Sequence, residues 1–185
     1  MKFREALELL RDTGNDPILL RGHQPGKEVL CAPALVGRVM SSTFEAASGE
    51  SLGWIGVEAI ESGPADPVFN NFGGEDRLWF GPEGSQFGLH FSSKEQSFSN
   101  YRVQYGMSSQ PYNLTLMSPA NDHVVMKASI HLQNLAGTLF DIDVERTVRI
   151  VDSCPYTVGL SEEIEFVGFQ TENLVTNRSR LPIGN

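Results

Sequence analysis

Phe3, Ala6, Leu7 and Leu10 recur at the i, i+3, i+4 and i+7 spacing of one helix face, with Arg4, Glu5, Glu8 and Arg11 between them. Gly14 stands where such a run would stop, so the pattern predicts one surface helix at the start of the chain. The period then changes. Residues 18–20, 28–32 and 38–44 are short apolar-rich runs separated by Gly, Pro and Asn, as strands joined by turns are. Glycines and prolines interrupt any period across 48–74, which predicts a long loop with a short regular piece around 54–60.

The clearest alternation lies later. Phe140, Ile142, Val144, Val148 and Ile150 alternate with Asp141, Asp143, Glu145, Thr147 and Arg149, the pattern of an antiparallel strand with one wet face. Arg146 alone interrupts the apolar side. Met126, Ala128, Ile130 and Leu132 alternate with Lys127, Ser129 and His131 just upstream, so the two runs predict a long hairpin through the Gly-containing turn at 134–138. Further strands are expected at 112–117 and 164–173, and no second helix is evident after Gly14. Strand after strand with turn signals predicts a mainly β fold, an antiparallel sandwich with one N-terminal helix, formed by residues 1–185 as a single domain.

One segment gathers candidate chemistry. Residues 72–91 are the densest group of polar, aromatic and glycine residues in the chain. Gly81-Pro82-Glu83-Gly84 suits a type I turn. A hairpin closed by those residues sets Trp79 opposite Gln86, Arg77 opposite Gly88 and Glu75 opposite His90. Leu78, Phe80, Phe87, Leu89 and Phe91 then share one side, and Glu75, Arg77, Trp79, Gln86 and His90 the other. A guanidinium fork, a carboxylate, an imidazole and a flat indole are the parts of a small polar-ligand site, especially one for a sugar: the fork binds vicinal hydroxyls and the indole covers a pyranose face. The same face also reads as a satisfied polar surface in which Arg77 pairs with Glu75 or Asp76. Glu75 and His90 serve either as acid and base or as structural groups. Trp54, with Glu58 nearby, either helps to close the pocket or belongs to the core.

Charge narrows the partners. The formal net charge is −9, with no Lys- or Arg-rich run to offset it, which argues against nucleic acid. No apolar stretch approaches the ~18 residues of a membrane span and the start lacks the apolar core of a signal peptide, so a cytoplasmic protein without a membrane partner is expected. Cys31 and Cys154 form no C-x-x-C pair, and His23, His123 and His131 have no ligand-like spacing, so neither a metal nor a cofactor is expected. No hydrolase, phosphate-loop, zinc-protease or dinucleotide motif is present.

The run Gly73-Gly74-Glu75-Asp76-Arg77-Leu78-Trp79-Phe80-Gly81-Pro82-Glu83-Gly84, followed by Gln86-Phe87, resembles an uncharacterised bacterial family of the galactose mutarotase-like β-supersandwich type. Phe140-Asp141-Ile142-Asp143-Val144-Glu145-Arg146-Thr147-Val148 looks like the same family's long strand. The resemblance implies a two-sheet antiparallel fold and a carbohydrate-related role, with no activity specified. Aldose 1-epimerases of that fold carry their histidine in an Asn-His-x-Tyr-Phe-like motif, which is absent here. Residues 176–185 leave a strand without a capping element, which reads as a truncated or degenerate member whose open sheet edges favour homo-oligomers. Two functions follow as expectations: a carbohydrate-binding or carbohydrate-modifying domain with ligand contacts at Glu75, Arg77, Trp79, Gln86, His90 and Trp54, or a non-catalytic structural or protein-interaction β-sandwich.

Overall fold

The computed structural model describes residues 1–63, 65, 68–154, 156, 159 and 164–180. Helix α1 (Phe3–Asp12) buries Phe3, Ala6 and Leu10, as its spacing predicts. Full burial of a large apolar side chain contributes about 1.5–3 kcal/mol. The Glu5 carboxylate accepts the Lys2 amide at 2.8 Å at the start of the helix. At its end Gly14 takes a left-handed φ of 73°. The Gly14 and Asn15 amides then reach the Arg11 and Leu10 carbonyls at 3.0 and 2.9 Å, the paired bonds that close a helix at a glycine.

Strands β1 (Ile18–Arg21), β2 (Glu28–Ala32) and β3 (Arg38–Thr43) form a three-stranded antiparallel sheet in that order. Both faces of this sheet are covered, which is why residues 29–32 and 39–43 read as unbroken apolar or small runs rather than alternating ones. Val29 and Cys31 face one core with Leu20 and Val39, and Leu30 and Ala32 face another with Met40 and the buried side of α1. Strands β4 (Asn113–Met117), β5 (His123–Gln133), β6 (Leu139–Val151) and β7 (Gly168–Asn177) form a second antiparallel sheet, again in chain order. The expected hairpin is present: β5 and β6 pair from His123 opposite Arg149 to Gln133 opposite Leu139. Its turn is held by the Asn134 side chain, which accepts the Thr138 amide at 2.8 Å. Val124, Met126, Ala128 and Ile130 from β5 and Ile142, Val144, Val148 and Ile150 from β6 join the Leu20, Val29 and Val39 core.

The molecule is thus mainly β, with two antiparallel sheets. Two expectations need correction. The last strand runs Gly168–Asn177, beyond the 164–173 expected, because its register is set by pairing with β6 from Val151 opposite Gly168 to Ile142 opposite Asn177. Two short helices follow α1 where none was expected: α2 (Val57–Ser62) and α3 (Tyr105–Ser108). Each is too short to display a 3.6-residue period, and α2 is held instead by burial of Ile60 beside Phe3 and Phe72. Among the described residues no helix is long and apolar enough to cross a membrane. Of the uncapped end expected at 176–185, residues 181–185 lie outside the described residues.

Candidate functional site

The hairpin expected across 75–91 does not form. Most of its backbone hydrogen bonds go to distant partners instead of across a ladder. The Glu75 and Asp76 amides reach the Val39 carbonyl at 2.8 and 3.3 Å, and the Val39 amide returns to the Asp76 carbonyl at 3.0 Å, so this stretch lies against β3. The Gly74 amide bonds the Trp54 carbonyl at 2.8 Å. Further on, Gln86 and Gly88 offer their carbonyls to the Ala136 and Leu135 amides, and His90 offers its own to Arg102. Five glycines in 72–91 make this irregular path possible. Gly73, at φ 80°, passes so close to Trp54 that a Cβ would stand 2.2 Å from the Trp54 carbonyl oxygen. Gly81-Pro82 is a cis peptide, and the loop folds back so that the Leu89 amide bonds the Pro82 carbonyl at 3.2 Å.

The predicted sorting of side chains therefore survives only in part. Arg77, Trp79 and His90 do meet, but as a stack. The Arg77 guanidinium carbon lies 3.9 Å from the Trp79 ring centroid, and the centroid of the His90 ring lies 4.9 Å from that of Trp79, the two planes tilted by 35°. Tyr101 closes the stack 6.0 Å from His90. Cation–ring contact of this kind stabilises by about 0.5–2 kcal/mol and holds the guanidinium plane in place. The Trp79 indole N–H donates to Glu83 at 3.1 Å. Phe87, assigned to the greasy side, is 47% exposed, and Gln86 sits in the outer turn, away from the other candidates. Glu75 is not opposite His90. Its carboxylate turns back to β3, accepting the Ser42 amide at 2.7 Å and the Ser42 hydroxyl at 3.0 Å.

A cleft of about 470 Å³ opens over this loop, lined by Arg38, Trp54, Asn71, Gly73, Gly74, Glu75, Asp76, Arg77 and Trp79. Four of the six residues picked from sequence thus line one cavity: Trp54, Glu75, Arg77 and Trp79. His90 touches Trp79 but does not line the cleft, and neither does Gln86. Trp54 is 60% exposed, so it is no core residue. It also borders a neighbouring hollow of about 460 Å³ that contains Glu58 and the start of α2.

Four contributors escaped the sequence reading: Asn71, Arg38, Asp76 and Arg146. Arg38, at the start of β3, is buried and lines the cleft, donating to the Gly73 carbonyl at 2.7 Å. No local pattern marked it. Asp76 lines the cleft with a side chain bound by the Arg146 guanidinium. Arg146, wholly buried on β6, also donates to the Gly37 carbonyl at 2.9 Å and to Asn173 on β7 at 2.8 Å. Its break in the apolar alternation was the available signal: a charge on a core face needs buried partners.

Electrostatics follow burial. Desolvation raises the Glu75 pKa, although the two Ser42 donors pull against it. Burial lowers the Arg77 pKa, and it lowers that of Arg38 to about 10, where the positive charge of Arg77 adds to the effect. His90 is wholly buried, and neither ring nitrogen completes a hydrogen bond. Burial pulls its pKa down more than the nearby Glu83 charge and Pro82 carbonyl pull it up. Among the described residues no three His, Cys, Asp or Glu side chains gather into a metal-ligand set.

No curated protein matches the chain, and no solved structure does. Residues 1–183 match a family of unknown function, DUF6786, and by that near full-length match the chain belongs to it.

Proposed function

We propose that this domain binds a carbohydrate in the cleft between Trp54 and Trp79. One observation carries the reading: two indoles and the polar side chains of Arg38, Asn71, Glu75, Asp76 and Arg77 border a single cavity of about 470 Å³, a volume suited to a small sugar. Flat apolar surface beside fixed donors and acceptors is what a pyranose requires. The resemblance of residues 73–84 to galactose mutarotase-like proteins points the same way, and the shared core of the two sheets suits the sandwich packing that such a relationship implies. Cytoplasmic residence belongs to the same reading, as does self-association through the outer edges of β4 and β7.

Trp54 and Trp79 are the chain's two tryptophans, so its indole fluorescence comes entirely from this cleft. Titration with a panel of monosaccharides and uronic acids should change that fluorescence and raise the thermal midpoint. An unaltered spectrum and midpoint across the panel would remove the proposal.

A second reading has its own support. Glu75 and Asp76 are tied to Ser42 and Arg146, as residues that merely anchor a loop would be. On that reading the domain is a non-catalytic structural or protein-interaction unit. Trp79→Ala would then lower stability by ~1–4 kcal/mol with no ligand binding to lose.

A further inference from the structure

The charges around the cleft are unevenly satisfied. Both carboxylates are engaged from behind, Glu75 by Ser42 and Asp76 by Arg146. The two guanidinium groups that line the same space are not. Arg38 spends one nitrogen on the Gly73 carbonyl, and its Nε and Nη2 are buried with no acceptor. Among the described residues, neither Arg38 nor Arg77 forms an ion pair. Leaving guanidinium donors buried and unmatched is costly, and placing a second cation beside them adds to that cost. The chain as a whole carries a net charge of −9, so two unneutralised arginines in one cavity stand out against their surroundings. Arg77 is half-exposed, and its plane is fixed by stacking on Trp79 and by Phe69, whose ring centroid lies 5.2 Å away. A guanidinium stacked in this way keeps its N–H edge free for a planar acceptor.

We infer that the ligand of this cleft carries an oxyanion, held at the Arg77 edge with Arg38 behind it, so that a sugar acid or sugar phosphate is preferred to a neutral sugar. The inference rests on the carbohydrate reading for the rest of the ligand but not for the anion. A carboxylate or phosphate supplies an acceptor for the Arg77 edge and a negative charge beside both arginines, and Trp54 and Trp79 remain available to the sugar ring.

The test compares, on the full chain, the affinities of D-galacturonate, its neutral methyl ester, D-galactose, D-glucose 6-phosphate, acetate and inorganic phosphate, by calorimetry and indole fluorescence. At least one of the two acidic sugars should bind about 10-fold or more tightly than the ester and galactose, since a hydrogen bond to a charged group is worth roughly that factor. Arg77→Met, which keeps the apolar stem over Trp79, should abolish the preference, bringing the acidic sugars down to the affinity of the ester and of galactose in the same variant. Should that variant unfold, the acid-to-ester comparison on the unaltered protein decides alone. Which of galacturonate and glucose 6-phosphate binds tighter separates carboxylate from phosphate as the source of the charge. Equal affinity for acidic and neutral sugars would overturn the anion inference and leave the carbohydrate reading standing. Binding of acetate or inorganic phosphate without any sugar would uphold the anion site and remove the sugar. No binding of any probe removes both.

Discussion

The Arg146 guanidinium crosses from β6 to grip the Asp76 carboxylate beneath the cleft, joining the second sheet to the loop that carries the candidate ligand contacts. Arg146 is wholly buried and its other nitrogens are spent on Gly37 and Asn173, so the link is a fixed part of the interior rather than a surface ion pair.

Asp76→Ala should therefore destabilise the fold severely. It strands a buried guanidinium, for which a loss of about 3–5 kcal/mol is typical. Urea unfolding measures it, and a loss under ~1 kcal/mol, the range of surface pairs, would show that the link is not structural. Arg178→Ala, at the exposed pair with Asp143, serves as the control and should leave the unfolding midpoint nearly unchanged.

His90 should make the protein sensitive to acid. Its folded pKa lies below the ordinary 6.5 because burial penalises the imidazolium. A depressed histidine adds stability that is fully present above 6.5 and is lost as pH falls through the folded pKa. His90→Phe keeps the stack between Trp79 and Tyr101 and removes two buried unsatisfied nitrogens, each of which costs about 1–3 kcal/mol. The variant should match or exceed the parent near neutrality and show a flatter acid limb in midpoint against pH. A steeper one would contradict this account.

Glu75 acts in the opposite sense. Burial raises its pKa above the ordinary 4.5, so its contribution to stability is greatest below 4.5 and declines as pH rises through the folded value. Glu75→Gln retains an oxygen for both Ser42 donors and carries no charge to desolvate. It should be more stable than the parent near neutrality and indistinguishable from it below 4.5. Equal stabilities at both pH values would show that Glu75 is effectively solvated.

Gly73 tests the path of the loop. Its φ of 80° and the 2.2 Å approach that a Cβ would make to the Trp54 carbonyl leave no room for a side chain. Gly73→Ala should cost about 2 kcal/mol or more in thermal or urea unfolding and disturb indole fluorescence, whereas Gly137→Ala, at a similar φ in open space, should cost less. Equal costs at the two positions would mean that the loop does not pass Trp54 so closely.

Much of this molecule was decided by local pattern. The 3.6-residue spacing of Phe3, Ala6 and Leu10 placed α1, and the two-residue alternation of 126–132 and 140–150 placed the β5–β6 hairpin, because in both cases one face of a regular element must be buried and the sequence repeats with the element's own period. The residue types of the cleft were visible too, in Trp54, Glu75, Arg77 and Trp79. Their arrangement was not. In a glycine-rich segment the backbone has no preferred period, so its course is set by whichever distant groups satisfy its hydrogen bonds: Val39, the Trp54 carbonyl, Leu135 and Ala136. Arg38 and Arg146 entered the site by the same route, across sheets and loops that only the packed chain brings together.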